Sequence, residues 1–222
     1  RRPNERNEGG ISDSKDMSSY AAEVIATYGF KTLKLKAGVL DPDEELRTII
    51  QLREEFPKAK LRVDPNGAWS IGTALHFANQ TRDLNLEYLE DPVWGLRGMA
   101  RVNSQCPWLP LASNMSVATP DDFSSAIALA AVDVILVDPH FYGGLRQARY
   151  AATTLELFQV DLSMHSQGEF GISMAAQLHL ASVMPGLTYA ADAHYHHLVD
   201  DIISGGPINC EEGEMRVPSG PG

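Results

Sequence analysis

Polar residues stand at the ends of short apolar runs in this chain at a nearly constant interval. In order they are Lys36, Asp64, Glu90, Asn114, Asp138, His165 and His194, separated by 24 to 29 residues. One strand, one helix and two short loops need about that length. The interval therefore predicts successive βα units feeding a parallel sheet. Side chains at one position of successive parallel units collect on a single rim, the C-terminal one, where barrels of this type keep their chemistry. Spacing alone implies an active site.

The stretch Leu61-Arg62-Val63-Asp64-Pro65-Asn66-Gly67-Ala68-Trp69 shows the device most fully. A short strand ends in a carboxylate, Pro65 stops it, and Asn66-Gly67 turns the chain. Ser70 then caps the next helix. A carboxylate at the end of a buried strand is costly unless it meets a cation or a donor.

Residues 1–13 read as an irregular lead-in, 14–204 as one α/β domain, and 205–222 as a tail holding at most one hairpin. Within the domain, strands are expected at Lys31–Lys36, Leu61–Asp64, Leu86–Glu90, Trp108–Ala112, Val132–Val137, Gln159–Met164 and Leu187–Ala191. Helices are expected between them; Asp41-Pro42 and Thr119-Pro120-Asp121-Asp122 carry strong start signals. A closed barrel needs eight strands, and seven are read here. The first strand is expected to be missing from residues 1–222, leaving two apolar edges unpaired and making activity of this chain alone doubtful.

A net charge of −11 argues against nucleic acid or an anionic membrane surface as partner. An anionic substrate would then need a local cationic site. Cys106 and Cys210 form neither a metal-ligand pattern nor a disulfide framework. No apolar run reaches bilayer-spanning length. A cytoplasmic protein with no membrane partner is the plain reading.

Asp64, Glu90 and Asn114 offer only oxygen ligands from adjacent units, and two carboxylates with an amide suit Mg²⁺ better than zinc. The alternative is that each carboxylate caps a helix or pairs with an arginine. Lys34 and Lys36 point to one side of their strand. A lysine beside a second cation can have its pKa lowered and act as a base; a solvated lysine pair is the alternative. His165 and Asp138 end adjacent units and can form a dyad in which the aspartate fixes the imidazole tautomer, against a purely structural histidine. A zinc cluster from His194-Tyr195-His196-His197 with His140 and His165 is a further, weaker reading, since successive histidines on a strand face opposite ways. His194 is better placed to donate a hydrogen bond to substrate. Arg62, His140 and Asn66 lie near the same rim.

Taken as an ordered set, Lys34-Leu35-Lys36, Asp64-Pro65-Asn66-Gly67-Ala68-Trp69, Glu90-Asp91-Pro92, Asn114-Met115, Asp138-Pro139-His140-Phe141 and Met164-His165-Ser166 resemble the enolase superfamily. More narrowly, they are similar to the glucarate dehydratase group of its mandelate-racemase-like branch. The resemblance implies a modified (β/α)7β TIM-type barrel, preceded in full-length members by a capping domain and a first strand that residues 1–222 lack. It implies Mg²⁺ held by Asp64, Glu90 and Asn114. Lys36 would be the base on one face of an acid-sugar substrate, and His165 assisted by Asp138 the base on the other. Lys34, Asn66 and His194 would contact that substrate. The implied reaction is dehydration of a glucarate-like diacid, with a racemase or epimerase of the same branch, or a non-catalytic truncated paralogue, as alternatives. A homo-oligomer is expected of the full-length protein.

Overall fold

The computed structural model describes residues 14–192 and 194–220. The lead-in expected over 1–13 lies outside the described residues. Six strands form one parallel sheet in sequence order: β1 (Thr32–Lys36), β2 (Lys60–Asp64), β3 (Tyr88–Glu90), β4 (Leu111–Ser113), β5 (Val134–Val137) and β6 (Asp161–Met164). The helices are α1 (Ser14–Tyr28), α2 (Pro42–Glu55), α3 (Ile71–Gln80), α4 (Leu96–Gln105), α5 (Phe123–Ala128), α6 (Leu145–Leu157) and α7 (Gly171–Val183). No helix among the described residues is long and apolar enough to cross a membrane.

The sheet is curled. A flat sheet would hold its first and sixth strands about 24 Å apart at ~4.8 Å per step, yet Lys34 of β1 binds Asp192, which lies beyond β6 in the chain. The result is a half-barrel with two apolar layers, because strand side chains alternate. Leu61, Val63, Leu89, Leu111 and Ile135 face outward into a core shared with Phe77 of α3 and Val102 of α4. Tyr88, Ala112, Val134 and Leu136 pack together on the concave side with Tyr189 against them. Register carries the alternation across the sheet: Lys34 stands opposite Arg62, Arg62 opposite Tyr88, and Lys36 opposite Asp64.

Local signals act where the sequence places them. The Asp41 side chain accepts the Asp43 N–H at 3.0 Å, with Pro42 opening α2. Ser70 Oγ accepts the Thr73 N–H at 3.0 Å to start α3. Asn66 and Gly67 both have positive φ, 51° and 73°. A Cβ on Gly67 would meet the Trp94 ring at 3.0 Å, while its N–H donates to Asp91 O at 2.6 Å. This turn therefore needs glycine, and it ties the β2 loop to the β3 loop.

Two expectations are corrected. The strand expected at Leu187–Ala191 shrinks to a single parallel bridge, Leu162 to Leu187. The Asp192 N–H still donates to Met164 O at 2.9 Å, while the Ala190 carbonyl between them accepts Arg62 Nη1 at 2.8 Å and Ser163 Oγ at 3.1 Å. Trp108 belongs to a turn ahead of β4, its indole donating to Ala78 O at 3.4 Å beneath the Arg82 guanidinium at 4.4 Å. The helix start expected at Thr119 is present: a 3-10 turn, Pro120–Asp122, runs directly into the short α5, and the Thr119 N–H binds Asp122 Oδ2 at 3.0 Å.

Beyond α7 the chain crosses back toward α1. His196 packs edge-on against Tyr28 and Phe30, with ring centroids 5.2 Å from each. The tail contributes a two-stranded hairpin, β7 (Cys210–Glu211) and β8 (Glu214–Met215), whose Gly213 N–H donates to Tyr28 O at 2.6 Å. A cavity of about 1010 Å³ remains between β1, α1, α7 and these returning segments. Among the described residues the outer edge of β1 has no strand partner.

Candidate active site

The concave rim gathers the polar strand ends. Lys34 is buried and its Nζ donates to Glu90 Oε2 at 2.8 Å and to Asp192 Oδ2, with Asp64 Oδ2 at 3.8 Å. Burial pushes its pKa down, but Glu90, Asp192 and Asp64 together outweigh that and hold it well above the ordinary lysine value. Lys34 is thus a fixed cation and a poor base. Lys36 is the freer of the pair, 44% exposed, bonded to Asp64 Oδ2 and lying 3.3 Å from Asn66 Oδ1.

Asp64 and Glu90 are fully buried at the ends of β2 and β3. Asp64 Oδ1 accepts the Asn66 N–H at 2.9 Å, and Asn66 Nδ2 reaches Met115 Sδ at 3.4 Å. Burial, more than Lys34 offsets, and the nearby charges of Asp64 and Asp192 push the Glu90 carboxyl up to about 8. Its Oε1 is buried without a hydrogen-bond partner, and so is Asn114 Oδ1 just past β4. Two orphaned acceptor oxygens beside a buried aspartate fit a hard cation. No cluster of three or more His, Cys, Asp or Glu among the described residues presents a metal cage; a set of two carboxylates and one amide falls outside that description.

Asn114 is held in place by a residue that sequence reasoning passed over. Asp91 accepts Ser113 Oγ at 2.6 Å and the N–H groups of Asn114, Met115 and Ser116 at 2.9, 2.9 and 3.2 Å. This one carboxylate staples the end of β4 to the end of β3. The signal for it was a second acid directly after Glu90, pointing away from the rim.

Across the sheet, Asp138 follows β5 and His165 follows β6. Asp138 Oδ2 lies 2.9 Å from His165 Nδ1, with Gln167 Nε2 on the same oxygen at 3.1 Å. Burial pushes the Asp138 carboxyl up, but hydrogen bonds from His165, His140 and Gln167 overcome it and bring the group to about 2. Asp138 stays ionised, and the expected dyad forms. With Nδ1 on the aspartate, His165 presents Nε2 to the rim.

His194 does not end a strand. It sits before a 3-10 turn (Tyr195–His197), with Nδ1 3.4 Å from Ser166 Oγ, and burial pushes its pKa down. The inward position on this segment belongs to Asp192, two residues earlier, which the sequence reading missed. Beside Lys34 it faces Arg62 Nη1 at 3.7 Å. Arg62 is itself buried, bonded to Glu87 Oε2 at 2.6 Å and stacked 4.5 Å from the Tyr88 ring centre. The floor of the half-barrel is therefore a network of charges.

With this geometry in view, the sequence profile described as Enolase C-terminal domain-like matches residues 16–222. The chain belongs to that family. The probable glucarate dehydratase of Streptomyces coelicolor is 40% identical over 214 residues, covering 96% of this chain and 49% of that protein. The L-Lys-D/L-Arg epimerase of Methylococcus capsulatus is 30% identical over 216 residues, covering 96% of this chain and 60% of that enzyme. An enolase from Pseudomonas fluorescens, solved with bound magnesium, potassium and tartrate, superposes with a TM-score of 0.90 at 39% identity, covering 93% of this chain and 48% of that one. The chain spans about half the length of the glucarate dehydratase relative it matches. The half-barrel is thus the C-terminal domain architecture of the enolase superfamily, in which dehydratase and epimerase chemistry share one scaffold.

Proposed function

We propose that the full-length protein is a Mg²⁺-dependent dehydratase of acid sugars, acting on glucarate-like diacids. One observation carries this reading: Glu90 Oε1 and Asn114 Oδ1 lie buried and unpartnered between a lysine pair on β1 and the Asp138–His165 dyad at β5 and β6. Asp64, Glu90 and Asn114 would hold the metal. When bound, Mg²⁺ supplies positive charge where a substrate carboxylate gains electron density.

The chain's own residues supply the remainder. Lys34, kept cationic by its carboxylates, stabilises the enolate that forms when the proton next to the carboxylate leaves. His165 Nε2 takes that proton on one face and Asp138 supports the imidazolium. The same imidazolium then gives a proton to the β-hydroxyl, which departs as water, and the enol product becomes a keto-deoxy acid. Lys36 serves the opposite face. Asn66 and His194 contact the substrate at the rim. A racemase or epimerase of the same branch is the second reading, favoured by the two opposed bases and by the likeness to an epimerase.

Product analysis separates them. Incubating the full-length protein with glucarate and Mg²⁺ should yield a product lighter by one water, whereas a product of unchanged mass and inverted configuration would favour epimerisation. The metal assignment has its own test. Glu90→Gln should weaken Mg²⁺ binding in calorimetric titration by about tenfold or more, since a charged oxygen ligand is lost. Parental affinity in that variant would sink the ligand set.

A further inference from the structure

Asp138 is shared between two histidines, and only one of them has a task in the reaction. Its Oδ2 holds His165 Nδ1 at 2.9 Å. Its Oδ1 accepts both the backbone N–H and the ring Nδ1 of His140, each at 2.8 Å. The far nitrogen of that ring, Nε2, lies 2.7 Å from Ser173 Oγ. Ser173 is the third residue of α7. A continuous line of polar contacts thus runs from His165 through Asp138 and His140 to the first turn of that helix.

We propose that His140, anchored by Ser173, is a positioning residue that sets the orientation of the Asp138 carboxylate and the proton affinity of His165. The proposal rests on the reading of His165 as the base. A carboxylate rotates easily about its last side-chain bond, and His165 and Gln167 hold only one of its oxygens. The His140 ring and backbone fix the other oxygen, and Ser173 stops the ring from turning. The same contacts divide the charge. Each donor on Oδ1 reduces the negative charge that Oδ2 offers to the His165 imidazolium. His140 therefore holds His165 less basic than an undivided aspartate would make it.

The other groups facing His165 share no hydrogen bond with His140. They are the Gln167 amide on the shared oxygen, the Gln177 amide 3.4 Å from the His165 carbonyl, and Asp192, whose carboxyl His165 helps to draw down after the larger effects of burial, Lys34 and Arg62. His140 is 44% exposed on its side chain against 12% for His165, so it can be replaced with little loss of packing.

The test is an NMR titration of the His165 ring in the full-length protein, with turnover measured beside it. His140→Phe should move the His165 midpoint upward by about half a pH unit. It should also lower kcat by about tenfold with KM within about twofold, as expected when orientation rather than binding is lost. Ser173→Ala should shift the midpoint in the same direction by less, and Ser173→Thr, which keeps the hydroxyl, should restore the parental value. An unmoved midpoint in folded His140→Phe would overturn the proposal. Should that variant fail to fold, an unmoved midpoint in Ser173→Ala overturns it instead. A shifted midpoint in His140→Phe, together with a parent protein that dehydrates no acid sugar, leaves the positioning role standing and removes the functional reading.

Discussion

Replacing His165 with Asn should abolish solvent-deuterium exchange at the substrate carbon on its own face, while exchange promoted by Lys36 on the opposite epimer survives. Asparagine can keep a hydrogen bond to Asp138, whose Oδ2 is 2.9 Å from His165 Nδ1, so the loop need not collapse. What disappears is the basic Nε2. General-base catalysis is typically worth about 10²–10⁴-fold, and loss of the only base on a face belongs at the upper end. The measurement is deuterium incorporation into each epimer by mass spectrometry over time. Unchanged exchange with both epimers would make His165 structural and leave Asp138 as its anchor only.

The second large effect falls on stability. Asp192→Leu should destabilise the protein by roughly 3–5 kcal/mol, the usual cost of removing one partner of a buried charge pair. Its carboxylate is 4% exposed and lies against both Lys34 and Arg62. Lys34 would keep Glu90 at 2.8 Å and Arg62 would keep Glu87 at 2.6 Å, yet each cation loses one of its carboxylate partners. Against a typical margin of about 5–15 kcal/mol, the deficit shows clearly in urea unfolding. A single variant within about 1 kcal/mol of the parent would show that this network carries little of the fold.

The same network marks where sequence reading stopped. Lys34, Lys36, Asp64, Glu90, Asn114, Asp138 and His165 were legible because a parallel strand end has one direction in which to present a side chain, and the interval between units repeats. Asp192 was not legible. Its segment reads as a strand ending at His194, but only one bridge forms, Leu162 to Leu187, and the Ala190 carbonyl goes to Arg62 and Ser163. Nothing in the local sequence announces that an arginine 128 residues away claims that carbonyl. Asp91 was missed for a related reason. Its value lies in three backbone N–H groups of another loop, and backbone donors carry no residue-type signal.

By itself the sequence determined the fold class, the sheet direction and most of the side chains that share the rim. Those follow from period-two alternation within strands and from the regular spacing of the units, both local properties of the chain. Only the tertiary structure decided the protonation character of the site. Lys34 is held cationic because curling brings Glu90, Asp64 and Asp192 around one ammonium, and Asp138 is held near 2 because donors from two histidines and a glutamine converge on it. Charge interactions depend on distance and burial rather than on order along the chain, so they exist only once the sheet has curled.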